Sequence, residues 1–359
     1  QNNYFCIILI LLLANFLHLC ILATDLQLAL QEEFLMKKLF FTAVCMMFFS
    51  IVTVSLFAGG KTEKNMEGKV AVAATFDAMK ELTEIVGKDK VYVHTIIPPG
   101  VEAHDFEPKA GDLKFLMQAK AVVYNGLGME PWLMDALHAV KQDTIKTICA
   151  SNGIKPIELA EGHHHHHHHH EDEHDHDHDE HDHDHDDDHD AVDPHAWLSL
   201  ESAKVMVKNI ADGLSEVDPA NTAFYKGNAA AFIANADALL AKYRDNFAKV
   251  SHRRFVTGHA AFGYLCRDFG LEQNSVEDVF SDGEPSAQQL AKLVDYCNQY
   301  GIKVVFSENA ASPQVSATLA KEVGASVQTI YTIESAEDGL SYMERMTSNI
   351  EKIYKSLAQ

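Results

Sequence analysis

From residue 69 onward, two blocks of strand–helix alternation flank one long helical run, and that order fixes the class of fold open to the chain. In the first block 69–75 reads as a strand, 76–87 as a helix ended by Gly87, and 91–97 as a strand closed by Pro98-Pro99-Gly100. A helix is expected over 109–119, a strand over 121–125, a helix over 131–140 and a strand over 144–149. A further helix is expected over 199–217. Asp218-Pro219 then offers a helix start, with Asp as cap and Pro at the first helical position. From there to residue 250 no proline intervenes and Gly227 is the sole glycine. Phe224, Phe232, Ala236, Leu239, Leu240, Tyr243 and Phe247 recur at three- and four-residue steps. About 30 residues of helix span roughly 45 Å, which suits a strut between two lobes. The second block gives strands at 253–257, 273–279, 303–306 and 326–331, with helices at 260–269, 286–300, 313–323 and from 340. Alternation of this kind is the mark of a parallel, doubly wound sheet. The expected fold is therefore α/β: two doubly wound α/β lobes, at 61–217 and 251–359, joined by a long rigid α-helix at 218–250.

A length of 359 residues accommodates two such lobes. With 29 basic and 52 acidic residues the formal charge is −23, which argues against a nucleic-acid partner. An apolar fraction of 47% excludes global disorder. The anomaly is histidine: of 22 in the chain, 15 lie within the 28 residues of 163–190, which hold nothing but His, Asp and Glu. Without that segment the charge is −10, so the acidity is largely local and comes with imidazoles. His163, His164, His165, His166, His167, His168, His169 and His170 run uninterrupted. Then His174, His176, His178, His181, His183, His185 and His189 are interleaved with carboxylates. An affinity tag would sit at a terminus, and a merely solvated acidic loop needs no imidazole. The composition points to a disordered loop of weak auxiliary metal sites.

The amino-terminal part carries targeting signals. An uncharged run from Tyr4 to Thr24 is long enough to span a bilayer. Next come Met36-Lys37-Lys38, an uncharged stretch over 39–58, and Gly59-Gly60. A basic start, an apolar core and small residues at the end make a signal peptide over 36–60, so export to a periplasmic or extracytoplasmic space is expected. Translation is then expected to start at Met36, with 1–35 as upstream sequence carried into the gene model; a two-helix membrane anchor is the alternative. The ending Leu56-Phe57-Ala58-Gly59-Gly60 is like a lipoprotein box without its cysteine, which leaves a lipid anchor no attachment point. Beyond the leader only Cys149, Cys266 and Cys297 remain, an odd number and none in a CxxC pair. At most one disulfide is possible, and a pairing of Cys266 with Cys297 stays open.

Outside the tract and the leader six histidines are left: His94, His104, His138, His195, His252 and His259. His104 lies in a loop at the carboxyl end of a strand, where open α/β sheets place ligands. His259 follows a strand directly through Gly258, and His195 stands in Asp193-Pro194-His195-Ala196-Trp197, a turn stiffened by proline. Three histidines at comparable positions across both lobes suggest one shared site. His94, His138 and His252 read as structural.

Four motifs carry a resemblance. They are the loop around His104 with Asp105-Phe106-Glu107-Pro108; Asn125-Gly126-Leu127-Gly128-Met129-Glu130-Pro131-Trp132; Asp193-Pro194-His195-Ala196-Trp197; and Thr257-Gly258-His259-Ala260-Ala261-Phe262-Gly263-Tyr264. In that order they make the chain similar to the metal-receptor branch of ABC-importer solute-binding proteins, the ZnuA/TroA type, over 69–359. The resemblance implies one metal between two lobes with His104, His195 and His259 as ligands. It also implies an ABC permease and a cytoplasmic ATPase as partners, a monomeric receptor, and a His/Asp-rich loop where the tract lies. Manganese-type members carry a carboxylate in place of the third histidine and an aspartate in a late loop. Here the third position is His259 and the loop reads Ile330-Tyr331-Thr332-Ile333-Glu334-Ser335. The fourth position stays open among water, Glu102, Glu308 and Glu334.

Three neutral imidazoles suit tetrahedral Zn²⁺, whereas manganese favours oxygen donors and higher coordination. The expected ligand is Zn²⁺ as cargo, captured for delivery to the permease, without enzymatic activity. The alternatives are a receptor for manganese or another divalent metal, an adhesin-like metal-binding protein, and a zinc hydrolase. A hydrolase needs a general base beside the metal, and no HExxH or paired-carboxylate motif is present.

Overall fold

The computed structural model describes residues 66–358 except Glu102, Asp105 and the segments 142–143, 160–191, 280–285 and 309–312. The sequence readings at 1–35, at 36–60 and at the tract 163–190 fall outside the described residues. The chain divides ahead of Gly68, and the architecture below is that of the unit from Gly68 onward. No helix among the described residues is long and apolar enough to cross a membrane.

The first lobe runs β1 (Val70–Ala74), α1 (Asp77–Gly87), β2 (Val91–Thr95), β3 (Ala121–Tyr124), α2 (Leu133–Ala139) and β4 (Lys146–Cys149). All four strands pair in parallel, in the order β2-β1-β3-β4. Val72, Ala73, Ala74, Ala121, Val122 and Val123 are wholly buried. Parallel strands covered on both faces are apolar throughout rather than alternating, which is why these runs read as strands. On α1, Met79, Leu82 and Val86 recur at helical spacing and are all buried.

The expected helix at 109–119 forms only a single 3₁₀ turn, Asp112–Phe115. The Asp112 carboxylate accepts from the Lys109 amide (2.9 Å) ahead of the turn, and the amides of Lys114, Leu116 and Gln118 go to carbonyls three residues back rather than four. Leu113, Phe115 and Leu116 still turn inward, so the apolar periodicity was real while the helix was not.

The chain continues through α3 (Leu200–Val217) and α4 (Thr222–Phe247). Pro219 opens a 3₁₀ turn, Pro219–Asn221, so the α-helix starts one turn later than Asp218-Pro219 suggests. The Asp218 carboxylate accepts from Asn221 Nδ2 (2.7 Å) and Tyr225 Oη (2.6 Å) instead of capping the helix. Tyr225, Ala229, Phe232, Ala236, Leu240, Tyr243 and Phe247 form the buried stripe of α4. Phe224 and Leu239, which the spacing placed on that stripe, are only half-buried. The helix lies along α3, touches α1 of the first lobe, and meets the second-lobe helices Gly263–Phe269 and Tyr342–Leu357, so the expected link between the lobes is packed against both.

The second lobe runs β5 (Arg254–Thr257), α5 (Gly263–Phe269), β6 (Glu272–Ser275), α6 (Ala287–Tyr300), β7 (Val304–Ser307), α7 (Pro313–Glu322), β8 (Ser326–Thr329) and α8 (Tyr342–Leu357). Its parallel order, β6-β5-β7-β8, repeats that of the first lobe. A reciprocal Ser286/Gln289 box starts α6, and Gly301 ends it in the left-handed conformation (φ 64°), sending its amide to the Cys297 carbonyl. Val256, Val276, Leu293, Cys297, Ile302, Val305, Leu319 and Ala320 form one core cluster. Cys149, Cys266 and Cys297 are free thiols, so Cys266 and Cys297 serve as small apolar core groups.

Both sheets reverse their winding direction between two central strands, β1/β3 in one lobe and β5/β7 in the other. Crevices at the carboxyl ends of such strands are where doubly wound folds bind ligands.

Candidate metal centre

His104, His195 and His259 converge on one point. Their candidate donor atoms all lie within 4.8 Å of one another, and among the described residues no other group of His, Cys, Asp or Glu does the same. His104 comes from the loop after β2, His195 from the 3₁₀ turn leading into α3, and His259 from the bend after β5. His104 Nε2 stands 3.0 Å from His195 Nε2. The His259 ring centroid is 4.7 Å from that of His195 and 5.7 Å from that of His104. A tetrahedral centre with Zn–N of about 2.0–2.1 Å separates its nitrogens by about 3.3–3.4 Å. The first pair already sits near that span.

Two of the rings, His195 and His259, are oriented by a partner behind them. Asp193 Oδ1 accepts from the His195 backbone amide (2.9 Å) and contacts His195 Nδ1 (2.8 Å). When Nδ1–H donates to the carboxylate, Nε2 carries the lone pair and faces the other histidines. Gly263 makes room for this carboxylate, since a Cβ there would meet Asp193 Oδ2 at 2.7 Å. His259 Nε2 donates to the Val279 carbonyl (2.8 Å), which puts the lone pair of that ring on Nδ1. The His259 carbonyl accepts from Thr257 Oγ1 (2.6 Å) and Gln273 Nε2 (2.7 Å), fixing the bend. Carboxylates and carbonyls behind histidines are the usual means of setting a ligand's tautomer.

The His195 turn is tied to both lobes. Tyr264 Oη donates to the Asp193 carbonyl (2.7 Å), Trp197 Nε1 to the Thr332 carbonyl (2.7 Å), and Asn125 Nδ2 to the Pro194 carbonyl (2.9 Å). Asn125 is itself anchored by buried Glu130, which accepts from the Asn125 amide (2.7 Å), the Gly126 amide (2.9 Å) and Thr75 Oγ1 (2.6 Å). Glu130 thus braces the carboxyl ends of β1 and β3 beneath the site.

Burial dominates the electrostatics. It holds the His195 imidazole down at about 3, and holds His104 at about 2 with help from the two neighbouring rings. Burial likewise pushes Asp193 up to about 7, against the hydrogen bond from the His195 amide. Both members of the Asp193–His195 pair are driven toward their neutral forms, so their contact is a hydrogen bond rather than a stable ion pair. A dication at the focus of the three rings would reverse this for Asp193 and favour the carboxylate.

The other sequence candidates stand elsewhere. Glu308 follows β7, is 2% exposed, and has Oε1 3.4 Å from the His259 amide. Burial pushes it up to about 8. Glu334 is buried in the segment before α8, where its carbonyl accepts from the Asp77 amide (3.2 Å). Neither belongs to the three-histidine group, and Glu102 and the tract histidines lie outside the described residues. His94 packs against Phe115 (4.6 Å between centroids), His138 sits in the last turn of α2, and His252 precedes β5. Sequence reasoning passed over Asp193, Gln273 and Glu130 as orienting groups. Asp193 was visible in its motif, two residues before His195. Gln273 gave no such signal, because Glu272–Ser275 is an edge strand, where polar residues are ordinary.

A family model described as the zinc-uptake complex component A, periplasmic, matches residues 72–356. A putative metal-binding protein of Treponema pallidum (strain Nichols) is 45% identical over 291 residues, covering 81% of this chain and 88% of that one. The high-affinity zinc uptake system protein ZnuA of Bacillus subtilis (strain 168) is 36% identical over 324 residues, covering 89% and 97%. The laminin-binding protein Lmb of Streptococcus agalactiae, described as bifunctional with adhesin and metal-transporting activity, superposes with a TM-score of 0.68 at 28% identity, covering 80% of this chain and 100% of that one. With two parallel lobes, a helix packed between them and a family match over most of its length, the chain belongs to the ZnuA family of zinc-uptake components.

Proposed function

We propose that this chain is the extracytoplasmic receptor of a zinc importer, capturing Zn²⁺ between its lobes on His104, His195 and His259 and delivering it to an ABC permease driven by a cytoplasmic ATPase. The observation that carries the reading is the meeting of three imidazoles from three separate segments, two of them oriented from behind by Asp193 and the Val279 carbonyl. An all-nitrogen set of three favours zinc over manganese, which seeks oxygen. Water, Glu102 or Glu334 would complete the coordination. Glu308 is better suited to holding the His259 bend through its backbone. The family is one of solute-binding components, in keeping with a site that holds a metal rather than one that turns over a substrate.

The tract is assigned many weak, exchanging sites that raise the local zinc concentration beside one tight site. Calorimetry on the full chain and on a form lacking 163–190 tests this division. Equal tight phases and loss of the weak phase are expected. A tight phase that vanishes with the tract would move the function to a metal buffer.

Acidification should empty the two classes in a fixed order. Zinc needs neutral imidazole, and free histidine protonates near a pKa of about 6.5. Burial holds His104 and His195 at about 2 and about 3, so both stay neutral at pH values where solvent histidines are charged. Carboxylates flanking the tract imidazoles raise their pKa, which brings protons into competition earlier. Counting bound zinc from about pH 7.5 down to about pH 5 should show the tract emptying first. Retention of tract zinc after the interlobe zinc has left would invert the proposed hierarchy.

A further inference from the structure

The two buried histidines of the centre, His195 and His259, are tied to each other through a tyrosine hydroxyl. Gln273 on β6 holds the His259 bend to the start of α5: its Nε2 donates to the His259 carbonyl (2.7 Å), and its Oε1 accepts from the Phe262 amide (2.8 Å). Two residues further on, Tyr264 is wholly buried. Its Oη donates to the Asp193 carbonyl (2.7 Å) and accepts from the Ile157 amide (3.2 Å). The Asp193 amide in turn donates to the Ile157 carbonyl (2.9 Å), and Glu158 pairs with Val192 in an antiparallel bridge. Tyr264 thus grips both sides of a short antiparallel pairing. One side runs straight into Asp193, whose carboxylate meets His195 Nδ1 (2.8 Å).

Its neighbours on α5 tighten the same grip. Gly263 lies so close that a Cβ there would meet Asp193 Oδ2 at 2.7 Å and Ile157 Cδ1 at 3.3 Å. The Arg267 guanidinium lies over the Tyr264 ring (4.7 Å), and its Nη1 donates to the Lys155 carbonyl (2.8 Å). Burial pushes the Tyr264 phenol up to about 12, so the hydroxyl remains a donor at neutral pH.

The spacing of the two segments matters to the ion. Nitrogens held at tetrahedral spacing suit an ion with short bonds and four donors. Where that spacing can widen, longer bonds and added water are admitted, and ions that prefer more donors lose less. We propose that Tyr264 is a positioning residue that registers the His259 segment against the His195 segment and thereby sets the preference of the site for tetrahedral zinc over ions of higher coordination. This rests on the reading of His195 and His259 as zinc ligands. Loss of the hydroxyl leaves all three histidines and Asp193 in the chain but frees their spacing. Zinc should then bind about three- to tenfold more weakly, the span of one hydrogen bond, while manganese changes by less than about twofold.

The test compares the full chain with Tyr264→Phe, each loaded with half an equivalent of Co²⁺, whose visible bands are intense in tetrahedral sites and weak at higher coordination. The parent protein should show intense bands, and Tyr264→Phe weaker ones at equal bound cobalt. Displacing that cobalt with zinc and with manganese reads both affinities at the same site. The zinc-to-manganese ratio should fall about three- to tenfold in Tyr264→Phe. Parental bands or a parental ratio in Tyr264→Phe overturns the proposal. Equal weakening of zinc and manganese also overturns it, because a merely loosened fold weakens both alike. Circular dichroism of the metal-free protein checks folding. If Tyr264→Phe does not fold, Arg267→Met, which unloads the Tyr264 ring and releases the Lys155 carbonyl, takes its place, and a parental ratio there overturns the proposal. A parent protein without tetrahedral bands removes the three-histidine reading and this inference with it. Intense parental bands that Tyr264→Phe reproduces sink the inference alone.

Discussion

Replacing His195 with alanine is expected to weaken zinc binding by about 10²–10⁴-fold while leaving the fold intact. The apparent binding free energy of well-formed protein zinc sites is about 10–16 kcal/mol, so each of three equal ligands accounts for roughly 3–5 kcal/mol. Each 1.4 kcal/mol or so is a factor of ten. His195 is the most informative position because it is wholly buried and its partner Asp193 is already in place, so no spare donor waits nearby. The measurement is a competition titration against a chelator of known affinity on protein lacking 163–190, with circular dichroism as the check on folding. An affinity within a factor of ten of the parent protein removes His195 from the ligand set.

The second large effect is on stability. Arg345→Met should cost about 3–5 kcal/mol, because it leaves the carboxylates of Asp77, Glu81 and Glu337 facing one another with no buried cation. Glu81 shows the strain in this cluster: burial raises its pKa, and Arg345 opposes that rise more than any other group. Taking an unfolding entropy of roughly 2.1 cal/mol/K per residue, the loss is a fall in Tm of about 5–8 °C for a unit of this size. Thermal unfolding of the metal-free protein checks it. A fall of less than about 2 °C would mean that the three carboxylates are relieved by water and that Arg345 does not staple the lobes.

The inner strands were legible because burial on both faces writes continuous apolar runs, as in Val70–Ala74 and Val304–Ser307. The 3₁₀ turn at Asp112–Phe115 was not, because its inward residues keep helical spacing while its backbone amides bond mostly three residues back rather than four. The three converging histidines were legible from position: each stands in a loop at the edge of an element where ligands gather. Their acidity was not. Nothing in the string of residues separates His104 at about 2 from a solvent histidine, since the cause is burial by segments distant in the chain. Arg345 is the extreme case, as its partner Asp77 lies 268 residues away. Long-range polar contacts of this kind leave no periodic trace, and the orienting roles of Gln273 and Glu130 were hidden for the same reason.

The central claim is that one zinc sits between the lobes on three imidazoles. Zinc content together with the zinc-edge X-ray absorption spectrum of protein lacking 163–190 tests it most directly. The account predicts one zinc per chain, with three nitrogen neighbours at about 2.0–2.1 Å and imidazole scattering beyond them. A preparation that retains no zinc, or a spectrum dominated by oxygen neighbours with fewer than three imidazoles, would contradict it.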